Sequence, residues 1–240
     1  MSSQAEWKTV PSQDLTGNER LFFDDYQRKV IEAASARIIP TDDDPGATEA
    51  RVVNFIDRYL SGIEYVYATA DGTGFLQIEG KDAQAWRERV TSMQERYTEG
   101  IRSLNELSHE MFQRSFTDLE AQEQDEVLVR TSGWPKPEEF TIRAIVQGRD
   151  VVPGEGGAPP SNQPIPDDQL DFFPMLVLHV RQGFYSDPVY GGNRDRIGWT
   201  VIGYPGPSSL AETQAGKYTT IDYMLPDAKW PFAEYDQSGK

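Results

Sequence analysis

Trp86, Val90, Met93, Tyr97, Ile101 and Leu104 recur at intervals of three or four residues, and Arg, Glu and Gln fill most of the positions between them. That period places six large apolar side chains on one face of an α-helix, which no strand can do. A long helix with a single greasy face has to be covered by other helices or a sheet, so it commits the chain to a packed core. Gly100 lies inside the stripe, at a cost of about 1 kcal/mol relative to alanine. A glycine at such a place lets another element come close.

The neighbouring segments repeat the pattern. Phe22, Tyr26, Val30, Ala34 and Ile38 are spaced by four, after a Thr16-Gly17-Asn18-Glu19 stretch with the spacing of a capping box. Pro40 ends that helix, because the residue before a proline is pushed out of the α region. Thr41 to Ala47 reads as a turn, and Asp42-Asp43-Asp44 lacks the alternating order of a calcium loop. Val52, Ile56, Tyr59, Leu60 and Ile63 form a second face, with Gly62 near its end. Tyr65 to Ile78, broken by Gly72-Thr73-Gly74, fits either a short hairpin or an irregular link. Phe112, Phe116 and Leu119 lead into a short helix holding Gln124, Val127 and Leu128. Seven prolines and the run Gly154-Glu155-Gly156-Gly157 between Trp134 and Pro166 forbid a continuous helix or central strand, with Phe140 to Val146 alone open to a strand or short helix. Asp167 and Asp168 then open an apolar segment in which Pro174 requires the helix to start just before it. The expected fold is mainly α: a single helical domain with long Pro/Gly-rich and aromatic-rich loops in the C-terminal half. A flexible segment (1–15) precedes the domain (16–206, with the 134–166 insertion), and a tail (207–240) follows.

Composition excludes several functions. The chain has 240 residues and a formal charge of −16, so nucleic acid and anionic membrane surfaces repel it. Its most apolar run, Phe172 to Val180, is too short to insert in a bilayer. Cysteine is absent, which removes disulfides, thiolate nucleophiles and cysteine-held iron–sulfur or haem groups. No Gly-x-Gly-x-x-Gly follows a strand, and there is no phosphate-binding loop and no Gly-x-Ser-x-Gly elbow. The two histidines, His109 and His179, are far apart, and each is expected to pack or face solvent. No catalytic, cofactor-binding or metal residue is assigned.

What remains is Gly183 to Gly206, which concentrates glycine, tyrosine and proline with little periodicity and reads as an ordered loop. Gly191-Gly192-Asn193 can take positive φ, and the Asn193 amide can cap the turn. Tyr185, Tyr190, Trp199 and Tyr204 offer broad contact area with few rotamers to freeze. Arg194 and Arg196 stand out in an acidic chain and suit partner carboxylates. With Asp187, these residues form the expected partner interface; the rival expectation is that Trp199 plugs this chain's own core.

Arg37-Ile38-Ile39-Pro40-Thr41-Asp42 with Pro45-Gly46-Ala47, Phe55-Ile56-Asp57, Phe116, Leu119 and Gln124 occur in that order. They are followed by Gly183-Phe184-Tyr185-Ser186-Asp187-Pro188, Tyr190-Gly191-Gly192-Asn193, Gly198-Trp199 and Gly203-Tyr204-Pro205-Gly206. From about Leu21 to Gly206 the chain resembles the small subunit, subunit 3, of FAD-dependent gluconate 2-dehydrogenases. The same family includes the small subunits of related glucose, sorbitol and glycoside dehydrogenases. The resemblance implies a non-catalytic chain without its own cofactor. Its expected partner is a large flavoprotein of the glucose–methanol–choline type, which binds FAD and oxidises the sugar. A c-type cytochrome subunit often takes the electrons, and the small subunit is needed for the large one to fold. The family implies the periplasm; MSSQAEWKTVPSQDL shows no twin-arginine pair, so the cytoplasm stands as the alternative. The alternative function is that the 185–193 loop reaches into the partner's active site or electron-transfer interface. An independent enzyme is disfavoured by the missing motifs. The 134–166 insertion and the tail are longer than the family core requires.

Overall fold

The computed structural model describes residues 9–11, 21–69, 74–133, 167–204 and 206. In chain order the helices are α1 (Asp25–Ile38), α2 (Val52–Ser61), α3 (Gly80–Phe112), α4 (Ala121–Ser132), α5 (Phe172–Tyr185) and the short α6 (Ile197–Val201). The fold is mainly α, and the helices share one hydrophobic core. The only sheet among the described residues is a ribbon of two three-residue strands, β1 (Thr9–Pro11) and β2 (Gly74–Leu76).

α2 is the hub. Seven of its ten residues are buried, Asp57 and Arg58 among them, so it is enclosed rather than lying on the surface. α1, α3 and α5 pack around it. The expected stripe of α3 is the core-facing one: Val90, Met93, Tyr97, Ile101 and Leu104 are buried, and Trp86 packs at its edge. The Phe172 ring of α5 lies directly over Gly100, where a Cβ would collide with it, so that glycine is the crossing point of the two helices. α4 buries Gln124, Val127 and Leu128 as expected. Arg37 at the end of α1 grips Asp125 of α4 through two 2.8 Å bonds.

α1 begins later than the Thr16–Glu19 box suggests, and that stretch lies outside the described residues. The helix is capped by Asp24 and Gln27, each side chain accepting from the other's backbone N–H. It stops at Ile38, ahead of Pro40. The approach to α1 is held by Asp57 of α2, whose carboxylate accepts from the amides of Leu21, Phe22 and Phe23 at 3.1, 2.9 and 2.8 Å. The Asp42–Asp44 stretch is a turn closed on itself, Asp44 N–H donating to Asp42 Oδ1.

Tyr65 to Ile78 resolves as a short hairpin, with Thr69 N–H donating to Gly74 O and Leu76 N–H to Tyr67 O. Its outer edge is taken by β1, which pairs antiparallel with Thr9 opposite Leu76. Thr9–Pro11 therefore departs from the expectation of a flexible segment over residues 1–15. Residues 134–166 and 207–240, the expected insertion and tail, lie outside the described residues. α5 starts two residues before Pro174, which occupies its first turn, where a missing N–H costs nothing.

The reading of 183–206 as one loop needs correction at both ends. Gly183, Phe184 and Tyr185 form the last turn of α5, and residues 197–201 form α6. Glycine at 183 does not stop the helix. Its missing side chain instead leaves room for Phe55 of α2.

Candidate functional site

The end of α5 is wrapped by the segment from Ser186 to Gly206, and three buried residues fasten the wrap. Gly192 sits against the backbone of Gly183, so closely that a Cβ would strike its carbonyl. Asn193 is fully buried in a left-handed conformation; its Nδ2 donates to Ser186 O (2.7 Å) and its Oδ1 accepts from Gly198 N–H (2.8 Å). The Trp199 indole, 6% exposed, donates through Nε1 to Tyr185 O (2.7 Å) and meets the Tyr204 ring edge-on. Arg194 N–H donates to Ala50 O, which anchors the wrap to the turn before α2.

The ten residues expected at a partner interface therefore divide. Gly192, Asn193 and Trp199 are interior, because their polar atoms and close contacts are used within the chain, which for Trp199 matches the rival expectation of a core plug. Asp187, Tyr190, Gly191 and Tyr204 are half-buried. Asp187 caps a single turn by accepting from Val189 N–H, and Gly191 supplies positive φ at its end. The Tyr190 hydroxyl accepts from Ala68 N–H and so joins the wrap to the hairpin; burial pushes its pKa up. Tyr185, Arg194 and Arg196 are exposed, beside Val201 and Ile202.

On the other side of Tyr190 lies a groove of about 290 Å³. Its walls are mostly aromatic: Phe55, Tyr59, Tyr65, Tyr67, Trp86 and Tyr190, with Gln182 and Ser186 as polar members. Arg58 lies along its floor, donating to Val189 O at 2.5 Å with its guanidinium near the Tyr65 and Phe75 rings. The groove presents broad ring faces and few hydrogen-bonding atoms, which suits contact more than bond-breaking.

Behind the groove is a cluster of perturbed ionisable groups, the kind of place where acid–base chemistry is looked for. Asp167, 3% exposed, accepts from Tyr59 Oη (2.8 Å) and Arg89 Nε (2.7 Å), and faces His179 Nε2 at 3.3 Å. His179 is wholly buried in α5, with Nδ1 2.9 Å from Tyr97 Oη. Burial lowers the His179 pKa and outweighs the pull of Asp167. A neutral ring fits the contacts: Nε2–H donates to Asp167 and Nδ1 accepts from Tyr97. Burial alone would raise Asp167, yet the bonds from His179 and Tyr59 and the nearby Arg89 charge hold it well below the usual carboxylate range. Burial drives Tyr59 and Tyr97 upward, so both stay protonated. Both imidazole nitrogens are occupied, and the carboxylate is saturated with donors. The cluster ties α2, α3 and α5 together, with its hydrogen-bonding atoms turned on one another. His179 is thus a packing residue, as expected, and His109 faces solvent.

Sequence reasoning missed the Asp57 anchor and the Asp167 cluster. Asp57 belongs to the Phe55-Ile56-Asp57 motif, but nothing in its spacing tells which amides it receives. Asp167 reads as a helix opener, and its partners lie 12, 78 and 108 residues away. Among the described residues no cluster of His, Asp and Glu could hold a metal ion, and no helix is long and apolar enough to cross a membrane.

No curated protein and no solved structure matches the chain. The family described as gluconate 2-dehydrogenase subunit 3 matches residues 25–206, from the first residue of α1 to the glycine that packs on Trp199. With three quarters of its length accounted for in that way, the chain belongs to the gluconate 2-dehydrogenase subunit 3 family.

Proposed function

We propose that the chain is a non-catalytic small subunit that binds a large FAD-dependent dehydrogenase of the glucose–methanol–choline type and assists its folding. Family membership supports a place in a dehydrogenase complex. In this reading FAD and the sugar chemistry belong to the large subunit, and the assembled complex resides in the periplasm.

One observation carries the proposal beyond the family. The motif residues build a frame: Asp57 holds the start of α1, Arg37 joins α1 to α4, and Asn193 with Trp199 fastens the wrap on α5. Each uses its polar atoms inside the chain, and the cluster of strongly perturbed groups around Asp167 is closed on itself. Such residues specify a shape. A shape held this firmly, with an aromatic groove and a basic, apolar-edged rim, suits a protein whose work is to be bound.

Affinity purification of the tagged chain from its native host tests the reading. The expected result is co-elution of a yellow flavoprotein in fixed ratio, with neither flavin nor dye-linked sugar oxidation in the chain alone. Sugar oxidation by the isolated chain contradicts it.

A further inference from the structure

The rim of the wrap carries backbone strain at three residues other than glycine. Asn193, Asp195 and Arg196 all have left-handed backbones, with φ of 46°, 54° and 61°. For a residue other than glycine that conformation costs about 1 kcal/mol or more. At Asn193 the return is plain, since the buried amide closes the wrap. At Asp195 and Arg196 the side chains themselves are exposed, and Arg196 is the N-cap of α6. The two left-handed residues turn the chain from Asn193 into α6 and form an arch that leaves Arg194 and Arg196 in solvent; Arg194 Nε meets Asp195 Oδ2 at 3.3 Å there, an exposed pair that contributes little and leaves the rest of its guanidinium open.

The arch is mounted rigidly. Arg194 N–H donates to Ala50 O at 3.1 Å, Arg196 N–H to Asn193 O at 2.9 Å, and Thr200 Oγ1 to Arg196 O at 2.9 Å. Beside it stand Val201, 38% exposed, Ile202, 56% exposed, and Tyr185, 41% exposed. These are three of the six large apolar side chains exposed among the described residues. Two arginines here also run against a chain carrying 39 acidic and 23 basic residues.

Taking the proposed function as given, we propose that the Arg194–Arg196 arch and the Val201–Ile202 step beside it form the edge that docks onto the large flavoprotein subunit, against an apolar recess rimmed by carboxylates. The charge decides the class of partner surface. Elsewhere the chain repels acidic proteins, whereas guanidinium groups pair with carboxylates in two-pronged fashion and are enriched at protein interfaces. The apolar step supplies the area that charges alone do not. Because the arch is already set, docking loses little conformational freedom.

The test measures binding of the purified flavin-containing large subunit, taken from the native complex, to the chain and its variants. Arg194→Glu with Arg196→Glu is expected to weaken binding roughly 100-fold, with a slower association that added salt no longer slows, while the isolated chain melts as before. Lys29→Glu with Lys81→Glu changes net charge equally on exposed positions away from the arch and is expected to leave binding within about threefold. Should the arginine variant fail to fold, Ile202→Asp carries the test, since its side chain is already mostly in solvent, and it too is expected to lose binding. Wild-type affinity in the arginine variant, or equal losses in both charge-reversal pairs, overturns the docking edge. So does wild-type affinity in Ile202→Asp. If the wild-type chain itself does not bind the flavoprotein, the proposed function fails, and the docking edge with it, a result distinct from these.

Discussion

Asn193 shows how much one side chain can hold. It donates to Ser186 O and accepts from Gly198 N–H in a fully buried site, in a backbone conformation that asparagine tolerates better than most residues. Asn193→Asp keeps the shape but removes the donor and buries a charge. It is expected to destabilise the chain by about 2–3 kcal/mol, read by chemical denaturation, and an unchanged midpoint contradicts the staple. The capping role of this amide was legible in the Gly-Gly-Asn sequence; its burial was not, because nothing local announces that the end of α5 lies above it. The same scale sets the pH response. His179 has a folded-state pKa below its ordinary 6.5, so as pH falls past that value the unfolded chain takes up a proton that the folded one refuses. Stability is therefore full above about pH 6.5 and drains as pH falls toward the folded value; Asp167, also depressed, adds a second loss below about pH 3.8. Melting temperature is expected to begin its descent near pH 6.5, with a shallower first step in His179→Gln. A wild-type profile flat down to about pH 5 contradicts the buried neutral ring.

Among the elements, the crossing of α3 and α5 is the most exposed to test. In an isolated helix Gly100→Ala would gain about 1 kcal/mol. Here the added methyl meets the Phe172 ring, so the variant is expected to be less stable than the parent. In a Phe172→Ala background the same change becomes neutral or stabilising, a coupling above about 0.5 kcal/mol in a double-mutant cycle. Additive effects contradict the crossing. The helices were legible wherever the 3.6-residue period ran long enough: α3, α2 and α4 bury the expected faces, and α1 and α5 stop and start at their prolines. Two things escaped. α6 has five residues, too few to display a period. Gly183 looked like the beginning of a loop because glycine usually ends helices, whereas here it is spent on the close approach of Phe55.

For the whole molecule, the sequence carried the class and the family: a mainly α domain belonging to the gluconate 2-dehydrogenase subunit 3 family. The candidate site was legible only in part, because sequence identifies which residues are unusual and not which way they face. Trp199 and Asn193 turn inward and Arg194 and Arg196 outward, although all four lie within seven residues. The central claim is that this firmly fixed frame exists to be bound by a flavoprotein that depends on it. The most direct measurement is the yield of soluble, FAD-loaded, sugar-oxidising large subunit expressed with and without this chain. The account predicts a large subunit that is mostly insoluble or colourless alone and yellow and active when the chain is co-expressed, with Gly192→Val failing to rescue it because the added side chain pushes the wrap off α5. A large subunit that folds, binds FAD and turns over fully without the chain would contradict it.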